Sequence, residues 1–205
     1  MKNPTIMDYF KNKAEEWDTP IKIERTEKFV TELLKNHTPS RSDKVLDYGC
    51  GTGLVGIEMS KITREIVYID KSEAMLNVLR QKIDSNKNFG STIIHGDIFS
   101  YNQSDIDLIT ILMALHHVED IEGTMRHISK NIIKPSGVIV IGDIREEDGS
   151  FHDADPVPHN GINTEKLALI LENVGFEIKK TYTFNTITKQ DNTYEQFIMV
   201  AQKSI

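Results

Sequence analysis

Residues Val45-Leu46-Asp47-Tyr48-Gly49-Cys50-Gly51-Thr52-Gly53 run from a short apolar stretch into an acid and then into three glycines at alternate positions. No other segment limits the fold as much. Glycine lacks Cβ, so it accepts positive φ and lets backbone approach a bound group closely. The turn also aims the unpaired N–H groups of the following helix at the space above the strand. A strand, glycine turn and helix in this order open a βα unit and propose a nucleotide-type cofactor.

The same rhythm extends along the chain. Residues 23–36 place Ile23, Thr26, Val30, Leu33 and Leu34 on one helical face. Val45–Asp47 is a strand and Leu54–Ser60 a helix. Ile66–Ile69 is a second strand ending at Asp70, and Ser72–Ile83 a helix with Ser72 as its N-cap and Met75, Leu76, Leu79 and Ile83 inward. Thr92–Ile94, Asp107–Met113 and Val138–Ile141 are further strands, with a helix at Ile121–Ile132 between the last two. Thr164–Val174 is a helix capped by Asn163 or Thr164 and stopped by Gly175. Phe176–Phe184 and Tyr194–Gln202 then close the chain as an antiparallel pair turning at Asp191-Asn192. Strands that are nearly continuous in apolar residues, alternating with helices, predict an α/β, doubly wound and mostly parallel sheet with helices on both faces.

At 205 residues the chain suits one domain, 1–205, with an N-terminal helical segment over 1–40 and a polar loop at about 145–163. The net charge of −7 argues against broad attraction to nucleic acid or an anionic membrane. The one cysteine, Cys50, excludes an internal disulfide and fits a cytoplasmic setting. Its place in the turn reads as a small residue in tight space. No apolar run is long enough to span a membrane.

Two cofactor readings compete at the turn. Gly51-Thr52-Gly53-Leu54-Val55-Gly56 satisfies GxGxxG, and Asp70 follows at a distance that suits a dinucleotide site. The other reading starts at Asp47, whose carboxylate lies beneath Gly49, Gly51 and Gly53. A pyrophosphate has no need of that carboxylate and is repelled by it. Asp70 ends the second strand, where it could accept from ribose hydroxyls. Asp97 follows the third and could accept from an adenine amine, with Ile98 against the ring. A cationic sulfonium linked to ribose and adenine suits three carboxylates better than a pyrophosphate does.

Val45–Gly53, Val67–Ser72 around Asp70, Gly96-Asp97-Ile98, Asp107–Val118 and Ile133–Val138 together resemble the class I S-adenosylmethionine-dependent methyltransferases, of the small-molecule methyltransferase-domain type. The resemblance implies a Rossmann-like sheet of seven strands with a reversed last strand. It also implies S-adenosyl-L-methionine as cofactor, S-adenosyl-L-homocysteine as product and a small-molecule acceptor. Asp47, Gly49, Gly51, Gly53, Asp70, Lys71, Met75, Asp97 and Ile98 are the expected cofactor contacts, with Ala114 or Leu115 near the methionyl part. The opening Tyr9-Phe10…Trp17-Asp18 is similar to the segment that folds over the cofactor in that family, although plain helix packing explains those aromatics equally well. A protein methyltransferase and a non-catalytic cofactor-binding protein remain rival readings. No nucleic-acid or membrane partner is expected, and nothing bears on oligomeric state.

His116 and His117 follow the fourth strand and are the candidates for proton transfer from the acceptor; a helix cap or backbone bond is the structural alternative. Asp143, past the fifth strand, is a further pocket-edge acid. In the 145–163 loop His152 and His159 are expected on the acceptor side with Tyr9 and Trp17. His152, Asp153, Asp155 and His159 could also be drawn as metal ligands, joined by His116 or His117 from across the pocket, but the prolines and glycine fit a substrate-shaping loop and no metal is assigned. Lys11–Glu16 and Lys22–Lys28 read as solvated helix surface.

Overall fold

A computed structural model describes residues 6–84, 90–152 and 157–205, with side chains from Phe10 onward except that of Asp84. Seven strands form one sheet in the order β3-β2-β1-β4-β5-β7-β6: β1 Lys44–Tyr48, β2 Glu65–Asp70, β3 Gly90–His95, β4 Ile106–Leu112, β5 Ile133–Ile144, β6 Phe176–Lys189 and β7 Asn192–Lys203. The first five pair in parallel, and β7 runs antiparallel to both β5 and β6. This is the Rossmann-like methyltransferase architecture expected from the sequence.

Alternation along each strand divides the core into two layers. Val45, Ile66, Tyr68, Leu108, Val140 and Ile198 face helices α2 (Pro20–Asn36), α3 (Leu54–Met59) and α4 (Glu73–Asp84) through Phe29, Leu33, Met59, Leu76 and Leu79. Leu46, Val67, Ile109, Ile139, Phe197 and Met199 face α5 (Ile121–Asn131) and α6 (Thr164–Asn173) through Met125, Ile128, Leu167 and Leu171. Strands buried on both faces leave ligand access only at the sheet edges. In parallel sheets that access lies beyond the carboxyl ends of the strands.

Several boundaries differ from expectation for local reasons. Helix α2 starts earlier, with Thr19 as N-cap and Pro20 at its first position. Its stripe is Thr26, Phe29, Val30 and Leu33, and Ile23 is 38% exposed because the first two turns lie past the sheet. Strand β5 begins at Ile133: Ile106 pairs with Ile133 and Leu108 with Val138, so residues 134–137 bulge out of the register. Asn163 caps α6 through Lys166 N (3.0 Å), while the Thr164 hydroxyl accepts from Arg145 instead. The last hairpin turns at Gln190-Asp191, one residue earlier than read, with Gln190 at φ 53°. Helix α1 covers Ile6–Lys13. Among the described residues no helix is long and apolar enough to cross a membrane.

Candidate functional site

The glycine turn after β1 adopts the conformation its composition calls for. Gly49, Gly51 and Gly53 have φ of 68°, 55° and 82°. A Cβ on Gly49 would stand 2.3 Å from the Ala114 Cβ, so the turn closes directly on the segment after β4. Asp47 is 2% exposed beneath it. Its Oδ2 accepts from Gly56 N (2.9 Å) and its Oδ1 from the Thr110 hydroxyl (3.1 Å). Gly56 is the third residue of α3, whose N-cap, Gly53, has no side chain to offer. The strand-end carboxylate therefore caps the helix from below. Burial drives its pKa up to about 7, against the opposing hydrogen bonds from Gly56 and Thr110. The space of Gly56 is filled by Tyr68, whose ring would be 2.2 Å from an added Cβ. That glycine serves helix packing, and its amide is engaged by the Asp47 carboxylate.

Asp70 is fixed by two backbone donors, Gly51 N on Oδ2 (2.7 Å) and Ser72 N on Oδ1 (2.8 Å). Each oxygen keeps a lone pair for a further donor. Burial raises its pKa, offset in part by those N–H groups. Asp97 caps the turn at Ile98–Ser100 through Phe99 N (3.0 Å) and lies 3.4 Å from Lys71 Nζ. Asp47, Asp70 and Asp97 border one cavity of about 730 Å³, which Gly49, Gly51, Lys71, Met75, Phe99, Ala114 and His117 also line. This size and its mixed apolar and acidic wall suit a nucleoside carrying a cationic tail. The floor at Gly51 is open, since a Cβ there would meet only Trp17 Nε1, at 3.8 Å. A second depression of about 630 Å³, bordered by Arg41, Ser60–Arg64 and Gly90, contains no acid.

The N-terminal segment roofs the cavity. Phe10, Trp17, Lys22, Arg25 and Thr26 all line it. Asp18 fastens the segment to the glycine turn: the Thr52 hydroxyl donates to it (2.5 Å), it pairs with Lys82, and Lys82 Nζ also donates to Thr52 O (2.8 Å). Lys22 and Arg25 correct the reading of 22–28 as solvated surface. Burial lowers both pKa values, that of Lys22 to about 8, with Arg25 beside it reinforcing the shift. Lys22 Nζ lies 3.1 Å from the centre of the Trp17 ring. Lys22 lies one helical turn before Thr26 and Arg25 one turn after Lys22, which was the available signal, but which turn of α2 overhangs the sheet is a tertiary property.

His117 also lines the cavity, its ring edge-on to Phe10 with centroids 5.4 Å apart. Burial, then His116, pushes its pKa down to about 3. His116 lies behind it, 1% exposed, with Nδ1 2.6 Å from Asp143 Oδ1. Asp143 is fully buried, which raises its pKa. The adjacent His116 and donors from His116 N and Ile144 N outweigh that and hold it below the usual carboxylate range. Ile98 and Leu115 are fully buried in the core beneath the cavity, while their neighbours Phe99 and Ala114 reach the wall. His152 packs against His116, whereas His159 is used structurally: its N donates to His116 O (3.2 Å) and its Nε2 lies 2.9 Å from Val118 O. Cys50 is buried in the core. The side chain of Tyr9, and Asp153 and Asp155, lie outside the described residues.

The family model described as a methyltransferase domain matches residues 20–181. The demethylmenaquinone methyltransferase of Staphylococcus aureus is 30% identical over 139 residues, covering 64% of this chain and 56% of that protein. This chain spans about half the length of the curated relatives it matches. A SAM-dependent methyltransferase from Aquifex aeolicus superposes with a TM-score of 0.70 at 20% identity, covering 94% of this chain and 98% of the other. The N-methyltransferase NodS from Bradyrhizobium japonicum, solved with S-adenosyl-l-homocysteine, gives 0.71 at 17% identity, with coverage of 91% and 89%. At these identities the structural likeness is one of fold.

Proposed function

The chain belongs to the methyltransferase-domain family of S-adenosylmethionine-dependent enzymes, and from that premise we propose that it methylates a small-molecule acceptor in the cytoplasm. The observation that carries this reading is the cavity that Asp47, Asp70 and Asp97 border together with His117, Phe10 and Trp17, with Trp17 above Gly51 and His117 beyond Phe10. Bound there, S-adenosyl-L-methionine supplies an electrophilic methyl group on a sulfonium. The acceptor's lone pair forms the new bond to carbon, the carbon–sulfur bond breaks, and its electron pair stays on sulfur in S-adenosyl-L-homocysteine. The protein's work is alignment and exclusion of water.

Each wall has a part in that work. Asp70 accepts from ribose hydroxyls with the lone pairs left over by Gly51 and Ser72, and Asp97 accepts from the adenine amine over Phe99. Lys71 and Met75 complete this end of the wall. Lys22 and Arg25 bring cations from the roof to the cavity wall, in addition to Lys71, and suit the methionyl carboxylate. The tight approach of Gly49 to Ala114 shapes the neck between donor and acceptor. His117 borders the acceptor's nucleophile, with His116 and Asp143 holding its neighbourhood rigid and His152 shaping the acceptor end.

A methyl-transfer assay over a metabolite panel, read by S-adenosyl-L-homocysteine release, tests the proposal. The name of the Staphylococcus relative puts quinone-type acceptors first, followed by aromatic hydroxyls, amines and thiols. Turnover of one panel class is the expected result. Calorimetric binding of NAD without binding of S-adenosyl-L-methionine would overturn the assignment. Cofactor binding without turnover of any acceptor, free or macromolecular, would favour a regulatory binding protein.

A further inference from the structure

Three histidines from two separate segments meet at the acceptor end of the cavity. His116 and His117 lie in the turn at Leu115–His117 after β4, and His152 ends the short turn at Ser150–His152 in the loop after β5. One ring nitrogen from each lies within 4.8 Å of the other two. The ring centroids are 4.0 Å apart for His116 and His117, 4.8 Å for His116 and His152, and 5.7 Å for His117 and His152. We infer that His116, His117 and His152 bind a single divalent transition-metal cation, zinc or a metal of similar preference, at the acceptor end of the cavity.

The chemistry of the donor set supports a cation. Neutral imidazole is the preferred ligand of zinc and its neighbours, and three such ligands leave a fourth position for water or a substrate atom. Nitrogens sharing a tetrahedral zinc at about 2.0–2.1 Å stand about 3.4 Å apart. Closing on a cation thus contracts the widest pair by about 1.4 Å, within the reach of ring rotation.

The surroundings are also those of a ligand set. Asp143 holds His116 Nδ1 at 2.6 Å and also accepts from its backbone N, so the ring is oriented with Nε2 free to coordinate. A buried carboxylate behind one histidine is the usual outer partner of a histidine–metal bond. His117 Nδ1 is buried and has no hydrogen-bond partner among the described residues, a need that coordination, or ring rotation toward it, would remove. The loop carrying His152 is held in place independently. Glu147 accepts from Gly149 N (2.9 Å) and Phe151 N (3.0 Å), Lys189 Nζ donates to Phe151 O (2.6 Å), and the Phe151 ring packs on Tyr194. His159 ties the same loop to His116 O and Val118 O from its other end. Because His117 also lines the cavity, the cation would stand beside the bound acceptor.

The inference does not depend on the transfer reaction, and its test reads metal directly. The full chain, stripped with chelator, is titrated with zinc by calorimetry and with cobalt(II) by visible absorption. One equivalent of zinc and the visible bands of a tetrahedral cobalt site are expected. His152→Ala should weaken zinc by more than about 100-fold and Asp143→Asn by about 10–100-fold. Affinity for S-adenosyl-L-methionine in His152→Ala should stay within a few-fold of the parent, which also reports that the variant is folded. Absence of stoichiometric zinc binding, or zinc binding equal in the parent and His152→Ala, would overturn the assignment while leaving the methyl-transfer reading intact.

Discussion

Asp47 is a buried carboxylate whose role as a helix cap can be separated from its charge. Replacing it with asparagine keeps an oxygen for Gly56 N and turns the amide toward the Thr110 hydroxyl, which can redirect its proton to Leu46 O at 3.5 Å. What disappears is the titration. The folded pKa of about 7 stands above the ordinary 3.8, so the folded state binds this proton more tightly than the unfolded chain does. The resulting stability is complete below the unfolded value and is lost as pH rises through about 7. A shift of about three units corresponds to about 4 kcal/mol, and complete burial removes any discount for solvent screening. Between pH 5 and pH 8 about 2–3 kcal/mol of that change is accessible. Urea denaturation of parent and Asp47→Asn at both pH values should therefore show the variant gaining that much relative to the parent on going from pH 5 to pH 8. The difference between the two proteins cancels every other titrating group. A difference in stability that does not change with pH would refute the argument, because it would mean that Asp47 is ionised equally in both states.

The remaining expectations concern the cofactor end, the neck and the acceptor end. Asp70→Ala removes a charged acceptor for ribose and the anchor of Gly51 and Ser72; at about 1.5–3 kcal/mol for such a bond, its affinity for S-adenosyl-L-methionine by calorimetry should fall about 10–100-fold, and unchanged affinity would remove the ribose role. Gly49→Ala should lower the melting temperature, since positive φ costs about 1–2 kcal/mol for a residue with Cβ and crowding against Ala114 adds about 1–3 kcal/mol; a variant as stable as the parent would show that the turn can relax. Trp17→Ala should raise the KM for acceptor and loosen the cofactor by opening the roof, and steady-state kinetics with both parameters intact would place Trp17 in simple packing. His117→Ala should reduce kcat with cofactor affinity preserved, and full turnover would exclude it from the acceptor's environment.

The cofactor half of the site was more legible than the acceptor half because its residues are local to strand ends. A strand ending in an acid and followed by glycine announces its own geometry, and Asp70 and Asp97 needed only the assumption that consecutive parallel strands end at one edge. At residue resolution the reading was less accurate. Ile98 and Leu115 lie in the core while Phe99 and Ala114 reach the wall, because a short 3-10 turn after each strand decides which of two neighbours points up. Lys22 and Arg25 looked like solvated charge because a helix pattern specifies a face but not what that face overhangs. His116 or His117 could be drawn together with His152 from the sequence only as one option beside the loop's acids and His159; the residues are more than thirty positions apart, and no periodicity encodes which of them meet.

The sequence alone determined the order of strands and helices, the left-handed glycine turn and the acids beneath and beside it. Those features follow from backbone sterics, hydrophobic period and charge within a few residues. Tertiary structure alone decided that Asp47 caps α3, that Asp18 and Lys82 fasten a roof bearing Trp17 and Arg25, and that Asp143 stands behind a three-histidine cluster. The first depends on how the glycine turn folds α3 back over β1 across nine residues, and the other two on where connections of more than twenty residues return their side chains. That return is fixed by packing against the two layers of the sheet, summed over the whole chain.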